Sequence, residues 1–193
     1  MIVHKPLPIT PDIMELNDHI NDSIQGMFGP ADIAVMKQEI AKLEPGDVYL
    51  EIGVDEGRSM AVAHHYAKPG VIVIGIDMHD VYPHPASVGR GVFAEQELII
   101  GHQKTGFFIH GDADVFADVW TKPISLMFID GGHDYFEVKK NTEKWESHMK
   151  KGGTILFHDI DYGFSDGPKG WLNDHYGKDG WEDFHGKIGK VVV

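Results

Sequence analysis

Residues Tyr49 to Met60 read YLEIGVDEGRSM. An apolar run stops at Gly53, Gly57 follows four residues later, and a helical pattern opens beyond it. A strand, a glycine turn and a helix in that order let a ligand approach bare backbone at a helix N-terminus. Working outward from this turn, apolar runs recur as VYLEIG (48–53), VIVIGID (71–77), FFIHGD (107–112), ISLMFID (124–130) and GTILFHD (153–159). Helical patterns separate them. Continuous apolar strands alternating with helices predict βαβ units and hence an α/β fold, a mostly parallel sheet with helices on both faces. The last four runs end on Asp77, Asp112, Asp130 and Asp159. Open α/β sheets bind ligands beyond the carboxyl ends of their strands, so these acids gather on the edge where chemistry is expected.

Upstream, Thr10 and Pro11 mark a helix start, with the Thr10 hydroxyl as N-cap and Ile13, Leu16, Ile20 and Ile24 at helical spacing. Gly29 and Pro30 end it. A second amphipathic helix from about Ala31 to Leu43 puts Ile33, Met36, Ile40 and Leu43 on one face, and Pro45 with Gly46 closes it. Residues 1–46 therefore read as a helical cap on a unit formed by residues 47–193, the whole being one structural domain. The segment after Asp159 is rich in aromatics as far as Trp181, and KIGKVVV (187–193) reads as a last strand.

Composition narrows the function classes. The chain has 193 residues, 30 acidic against 17 basic, a net charge of −13 and no cysteine. That charge repels nucleic-acid backbone and anionic lipid, so neither is expected as a partner. Without thiolates, any metal must be held by oxygen and imidazole. There is no apolar signal-peptide core near the start and no run of about 18 apolar residues, so a soluble cytoplasmic protein is expected.

A dinucleotide site wants G-x-G-x-x-G with backbone N–H groups facing a pyrophosphate. Here the pattern is Glu51-x-Gly53-x-x-x-Gly57, with Asp55 and Glu56 inside the turn. Two carboxylates beside a diphosphate are strongly unfavourable, which speaks against NAD and ATP. S-adenosylmethionine carries no phosphate, and its sulfonium and ammonium are cationic. Its adenosine half still needs a close glycine turn and a carboxylate for the ribose hydroxyls.

LEIGVDEGRS, GIDMH, HGDAD and FIDGGHDYFEVKKNTEKW followed by KKGGTILFHD occur in order between Asp47 and Asp159. The ordered set resembles the class I S-adenosylmethionine-dependent methyltransferases, which share a Rossmann-like three-layer sandwich. Its last block is similar to a group with the pattern F-I-D-G-x-H-x-Y and G-G-x-x-x-x-H-D, which includes O-methyltransferases of sugars and natural products. The resemblance implies that Glu51, Gly53 and Gly57 line the methionine end of the cofactor, with Ser59 at the following helix start. It implies that Asp77 binds the ribose hydroxyls, that Met78 packs on the adenine, and that Asp112 meets the adenine amino group with Ala113 beside it. Asp112 can equally serve as a helix cap.

Methyl transfer to oxygen is an in-line displacement in which the enzyme aligns the acceptor and helps remove its proton. A general base or a divalent cation can do this. Asp130 and Asp159 end strands expected to be neighbours, which brings together two hard oxygen ligands of the kind Mg²⁺ prefers. In the similar catechol-type enzymes the matching aspartates are metal ligands, and an Asn directly after the second is the third. Ile160 stands at that place here, leaving His158, Asp161 or water to complete a site. If no metal binds, Asp130 lies near the transferred methyl and Asp159 orders its loop. His133, three residues beyond Asp130, is the candidate catalytic base, an imidazole that titrates near neutrality. His158 is expected to be a buried neighbour of the strand end, pointing to the opposite face from Asp159.

The expected activity is methyl transfer to a hydroxyl of a small molecule such as a sugar, phenol or natural product. A non-catalytic cofactor-binding protein and an NAD-dependent oxidoreductase are the alternatives. Homo-oligomerisation stays open. The stretches 79–93 and 160–181, with their aromatics, glycines and histidines, fit either acceptor-binding lids or oligomer contacts.

Overall fold

The structure, a computed structural model, describes residues 6–22, 24, 26–78, 105–161 and 167–193. The five apolar runs are the five parallel strands β1 (Val48–Ile52), β2 (Ile72–Asp77), β3 (Thr105–His110), β4 (Ile124–Ile129) and β5 (Met149–Phe157). Two further strands, β6 (Glu182–Phe184) and β7 (Ile188–Val192), complete a sheet of order β3-β2-β1-β4-β5-β7-β6. β7 runs antiparallel to both β5 and β6. Every residue of β1 is buried, as a central strand covered on both faces requires.

Helices α1 (Pro11–Asn21), α2 (Pro30–Ile40) and α3 (Arg58–Tyr66) cover one face. Ile13, Leu16, Ile20, Ile33, Met36 and Ile40 pack there with Tyr49, Phe128 and Leu156 of the strands. Helices α4 (Ala113–Ala117), α5 (Tyr135–Trp145) and α6 (Gly167–Tyr176) cover the other face, where Val138, Trp145, Trp171 and Leu172 meet Leu50, Met127 and Ile155. Alternate residues of one strand enter different layers, as period-two geometry dictates. The result is the three-layer, Rossmann-like sandwich expected from the sequence.

Strand order reverses between β1 and β4, and there the segments that follow the two strands touch. The Asp130 amide donates to the Ile52 carbonyl at 2.8 Å. A Cβ placed on Gly53 would lie 2.4 Å from the Asp130 carbonyl oxygen, and Gly53 has φ +84°. Only glycine lets the turn after β1 lie against the end of β4 in this way.

Two local expectations change. The Thr10 hydroxyl does not cap α1 but bonds Asp12 at 2.6 Å. The second helix ends at Ile40 rather than Leu43, although Leu43 is still buried. Within 160–181, where a lid or an oligomer contact was expected, the described residues 167–181 include a helix, α6, packed on the sheet with Trp171, Leu172 and Trp181 buried. The stretch 79–93, read in the same two ways, lies outside the described residues.

Candidate functional site

The ends of β1 and β2 build one side of the site. Gly53 donates to the Ile76 carbonyl at 3.0 Å, which stitches the turn to β2. One oxygen of Asp77, Oδ2, accepts the amides of Val54 at 2.6 Å and Asp55 at 2.9 Å. Asp55 is left-handed at φ +47°, and Gly57, at φ +90°, is the N-cap of α3. Below the turn, Glu51 is fully buried and accepts from the Tyr49 hydroxyl and the Ser59 hydroxyl, both at 2.6 Å. Tyr49 and Glu51 share a face of β1, so the charge inside the strand is met by hydroxyls of the chain itself.

Gly53, Gly57, Asp77 and Met78 thus stand at the ends of β1 and β2, with the Met78 side chain 45% exposed. Glu51 and Ser59 bond to each other beneath them. Asp112 caps α4 by accepting the Asp114 amide at 2.9 Å. Ala113 is buried at the start of that helix.

The ends of β4 and β5 build the other side. Asp130 follows β4 and Asp159 follows β5, and these strands are neighbours as expected. His133 projects from the loop between β4 and α5, its Nε2 lying 3.5 Å from Asp130 Oδ1 and 3.5 Å from Asp159 Oδ2. The donor atoms of Asp130, His133 and Asp159 all lie within 4.8 Å of one another. Ile160 is buried in the core and Asp161 pairs with Lys169, so neither of these is seen joining the two aspartates.

His158 departs from expectation. It is buried, but it does not point away from Asp159: its Nδ1 lies 3.0 Å from Asp130 Oδ1 and 3.5 Å from Asp159 Oδ1. Strand alternation does not apply, because β5 ends at Phe157 and Asp159 turns back at φ +50°. Burial alone would lower the His158 pKa. The Asp130 carboxylate, through charge and hydrogen bond, outweighs that together with Asp32 and Asp159, and pushes it up to about 10. His133 is also raised, first by its hydrogen bond to Asp130. Burial works to raise the Asp130 pKa, and the two histidines overcome it to hold the group below the usual carboxylate range.

Sequence reasoning missed Asp32 and His185. Asp32, buried on α2, caps that helix by accepting the Gly29 amide at 2.8 Å. Its other oxygen faces His158 Nε2 at 3.7 Å and His185 Nε2 at 3.6 Å. An acid three residues after Gly29 is a readable cap signal, but nothing local points it at a histidine 126 positions further on. Arg58 was likewise unremarked. Its buried guanidinium donates to the carbonyls of Phe28 at 2.7 Å and Ile24 at 3.0 Å and to Asn17 Oδ1 at 2.9 Å, which ties the N-terminal helices to the first residue of α3.

A family model described as a methyltransferase domain matches residues 50–160, from within β1 to just past β5. Solved structures share the architecture at low identity. CalS11, a TDP-rhamnose 3′-O-methyltransferase of calicheamicin biosynthesis, is 17% identical with a TM-score of 0.64 over 99% of this chain and 96% of that one. An O-methyltransferase from Bacillus cereus in complex with SAH is 15% identical with a TM-score of 0.62, over 94% of this chain and 89% of that one. The O-methyltransferase TomG from Streptomyces achromogenes, involved in tomaymycin synthesis and solved with SAM, is 11% identical with a TM-score of 0.64, over 97% and 92%. At these identities the likeness is one of fold.

Proposed function

The chain belongs to the methyltransferase-domain family, within the class I S-adenosylmethionine-dependent enzymes, and from that premise we propose that it methylates a hydroxyl oxygen of a small molecule. The observation that carries the oxygen assignment is His133, an imidazole held 3.5 Å from each of two carboxylates at the ends of adjacent strands. The O-methyltransferases among the structures of like fold support the same reading.

The residues fit a methyl-donating nucleoside. Asp77 brings a carboxylate to the end of β2, Met78 is exposed beside it, and the glycine turn lies against the residues that follow β4. In this reading Asp77 and Met78 hold the nucleoside, the turn from Gly53 to Gly57 lies along the methionine end, and Asp112 and Ala113 border the adenine. Glu51 and Ser59 serve by fixing the turn to β1. When bound, S-adenosylmethionine supplies a methyl group on a cationic sulfur. Asp130 stands nearest the joint between the two halves, and His133 takes the proton from the acceptor hydroxyl as its oxygen attacks. Asp130 and Asp159 orient the imidazole and stabilise the imidazolium that forms.

A second reading rests on the convergence of Asp130, His133 and Asp159. Two carboxylates and an imidazole suit a divalent cation such as Mg²⁺ or Mn²⁺. Held there, such an ion would lower the pKa of an acceptor hydroxyl.

Calorimetry with S-adenosylhomocysteine, then methyl transfer to a panel of sugars, phenols and hydroxylated natural products with and without chelator, tests both readings. Turnover that survives chelation assigns the proton to His133. Loss on chelation, mimicked by Asp159→Ala, assigns activation to the cation. Binding without turnover on any acceptor favours a non-catalytic binding protein, and tight NAD binding without S-adenosylhomocysteine binding overturns the proposal.

A further inference from the structure

We infer that Asp77 closes the glycine turn to phosphate by filling, with its own carboxylate, the anion seat of the turn. The inference rests on the nucleoside reading above and adds the means by which the turn chooses among nucleosides. Successive backbone N–H groups around a left-handed residue form a concavity that holds anions, and phosphate-binding turns exploit this. Here Val54 and Asp55 are the successive donors and Asp55, at φ +47°, is the left-handed residue. Their shared acceptor is Asp77 Oδ2, at 2.6 and 2.9 Å.

The turn is also held in place on both sides of Gly53. On one side Gly53 is bonded to Ile76. On the other, even a Cβ on Gly53 would collide with the Asp130 carbonyl and the Gly131 amide. A phosphate arriving at the turn meets donors already satisfied by an anion. A cationic or uncharged group meets no such conflict. Asp77 therefore has two tasks, one toward the ribose and one toward the turn. The second is the specificity-determining one.

The test compares adenosine with ADP, so that contacts to the nucleoside cancel and the ratio of their dissociation constants isolates the diphosphate. Ligand-observed NMR titrations are run on wild type, Asp77→Ala, Asp77→Asn, Asp55→Asn and Glu56→Gln, each checked for folding by thermal melting. In wild type ADP binds more weakly than adenosine. Asp77→Ala shrinks that ratio by about tenfold or more, the scale of one charge-assisted hydrogen bond. Asp77→Asn, which can still accept both amides but carries no charge, shrinks it less. A ratio within about twofold of wild type in the folded Asp77 variants, below the scale of one such bond, overturns the inference. So does a ratio abolished by Asp55→Asn or Glu56→Gln alone, and so does failure of wild type to bind adenosine at all. Wild-type titration with S-adenosylhomocysteine stands apart: its failure with the adenosine preference intact would sink the methyl-donor reading and leave the phosphate exclusion standing.

Discussion

The two sides of the cleft are built on opposite plans. At the ends of β1 and β2, carboxylates are met by groups that do not titrate near neutrality: Asp77 by two amides, Glu51 by two hydroxyls, at 2.6 to 2.9 Å. At the ends of β4 and β5, Asp130 and Asp159 are met by two imidazoles, most of them at 3.5 Å. The first arrangement fixes a shape. The second sets protonatable imidazoles among carboxylates in a looser set of contacts. A site that holds one molecule and removes a proton from another needs one of each.

If that division is right, damage on the second side should cost turnover and spare binding. His133→Asn is expected to lower methyl transfer by about 10²–10⁴-fold, the usual worth of a general base. Affinity for S-adenosylhomocysteine should hold, which calorimetry beside the acceptor assay would show. A comparable loss of affinity would merge the two sides into one.

The next effect is on stability. Asp32→Ala removes the carboxylate that faces the buried His158 and the half-buried His185 and caps α2. Breaking a buried charge network typically costs about 3–5 kcal/mol, to be read from urea unfolding. Asp32→Asn keeps an acceptor for the Gly29 amide and should cost less. Equal losses in both variants would mean that the charge, not the cap, matters.

Proton binding on the second side also has a pH signature. The folded pKa of His158 is raised from 6.5 to about 10. Its contribution is therefore fully present below pH 6.5 and is lost as pH rises through 10. The free energy of unfolding should fall across that window by on the order of 3 kcal/mol, after allowing for coupling to its carboxylate neighbours. His158→Asn should flatten the limb. A limb unchanged in the variant would place the titration elsewhere.

The smallest expected effect lies on the first side. Asp77→Ala should weaken S-adenosylhomocysteine binding by roughly 1.5–3 kcal/mol, the scale of hydrogen bonds to a charged group. An unchanged dissociation constant would put the ribose elsewhere.

The same contrast governs what could be read from sequence. Strands β1 to β5 announce themselves because apolar runs are local, and the glycine turn is legible because positive φ leaves few residue choices. β6 has three residues and α6 hides in a stretch dense with Gly, Pro and aromatics, so neither carries enough periodicity to stand out. Asp130, His133 and Asp159 were found as motif residues, but their convergence is a property of neighbouring strands. Asp32 and Arg58 were missed because their partners are set by packing between elements, for which a single sequence holds no short-range mark. Asp77 was singled out for its place, while its hold on the Val54 and Asp55 amides depends on the path of the turn.

Arg58 finally has something to say about the order of assembly. Its three acceptors lie 30, 34 and 41 residues earlier in the chain. During synthesis α1 and α2 emerge first, with Ile13, Ile33 and Ile40 in want of a surface and three oxygens in want of a guanidinium. They can only wait for β1 and α3 to arrive. These two helices are thus made before the residue that locks them, which is the one that starts the helix behind the glycine turn. Pulse-labelled hydrogen exchange during refolding would see their amides gain protection together with those of α3, and not before.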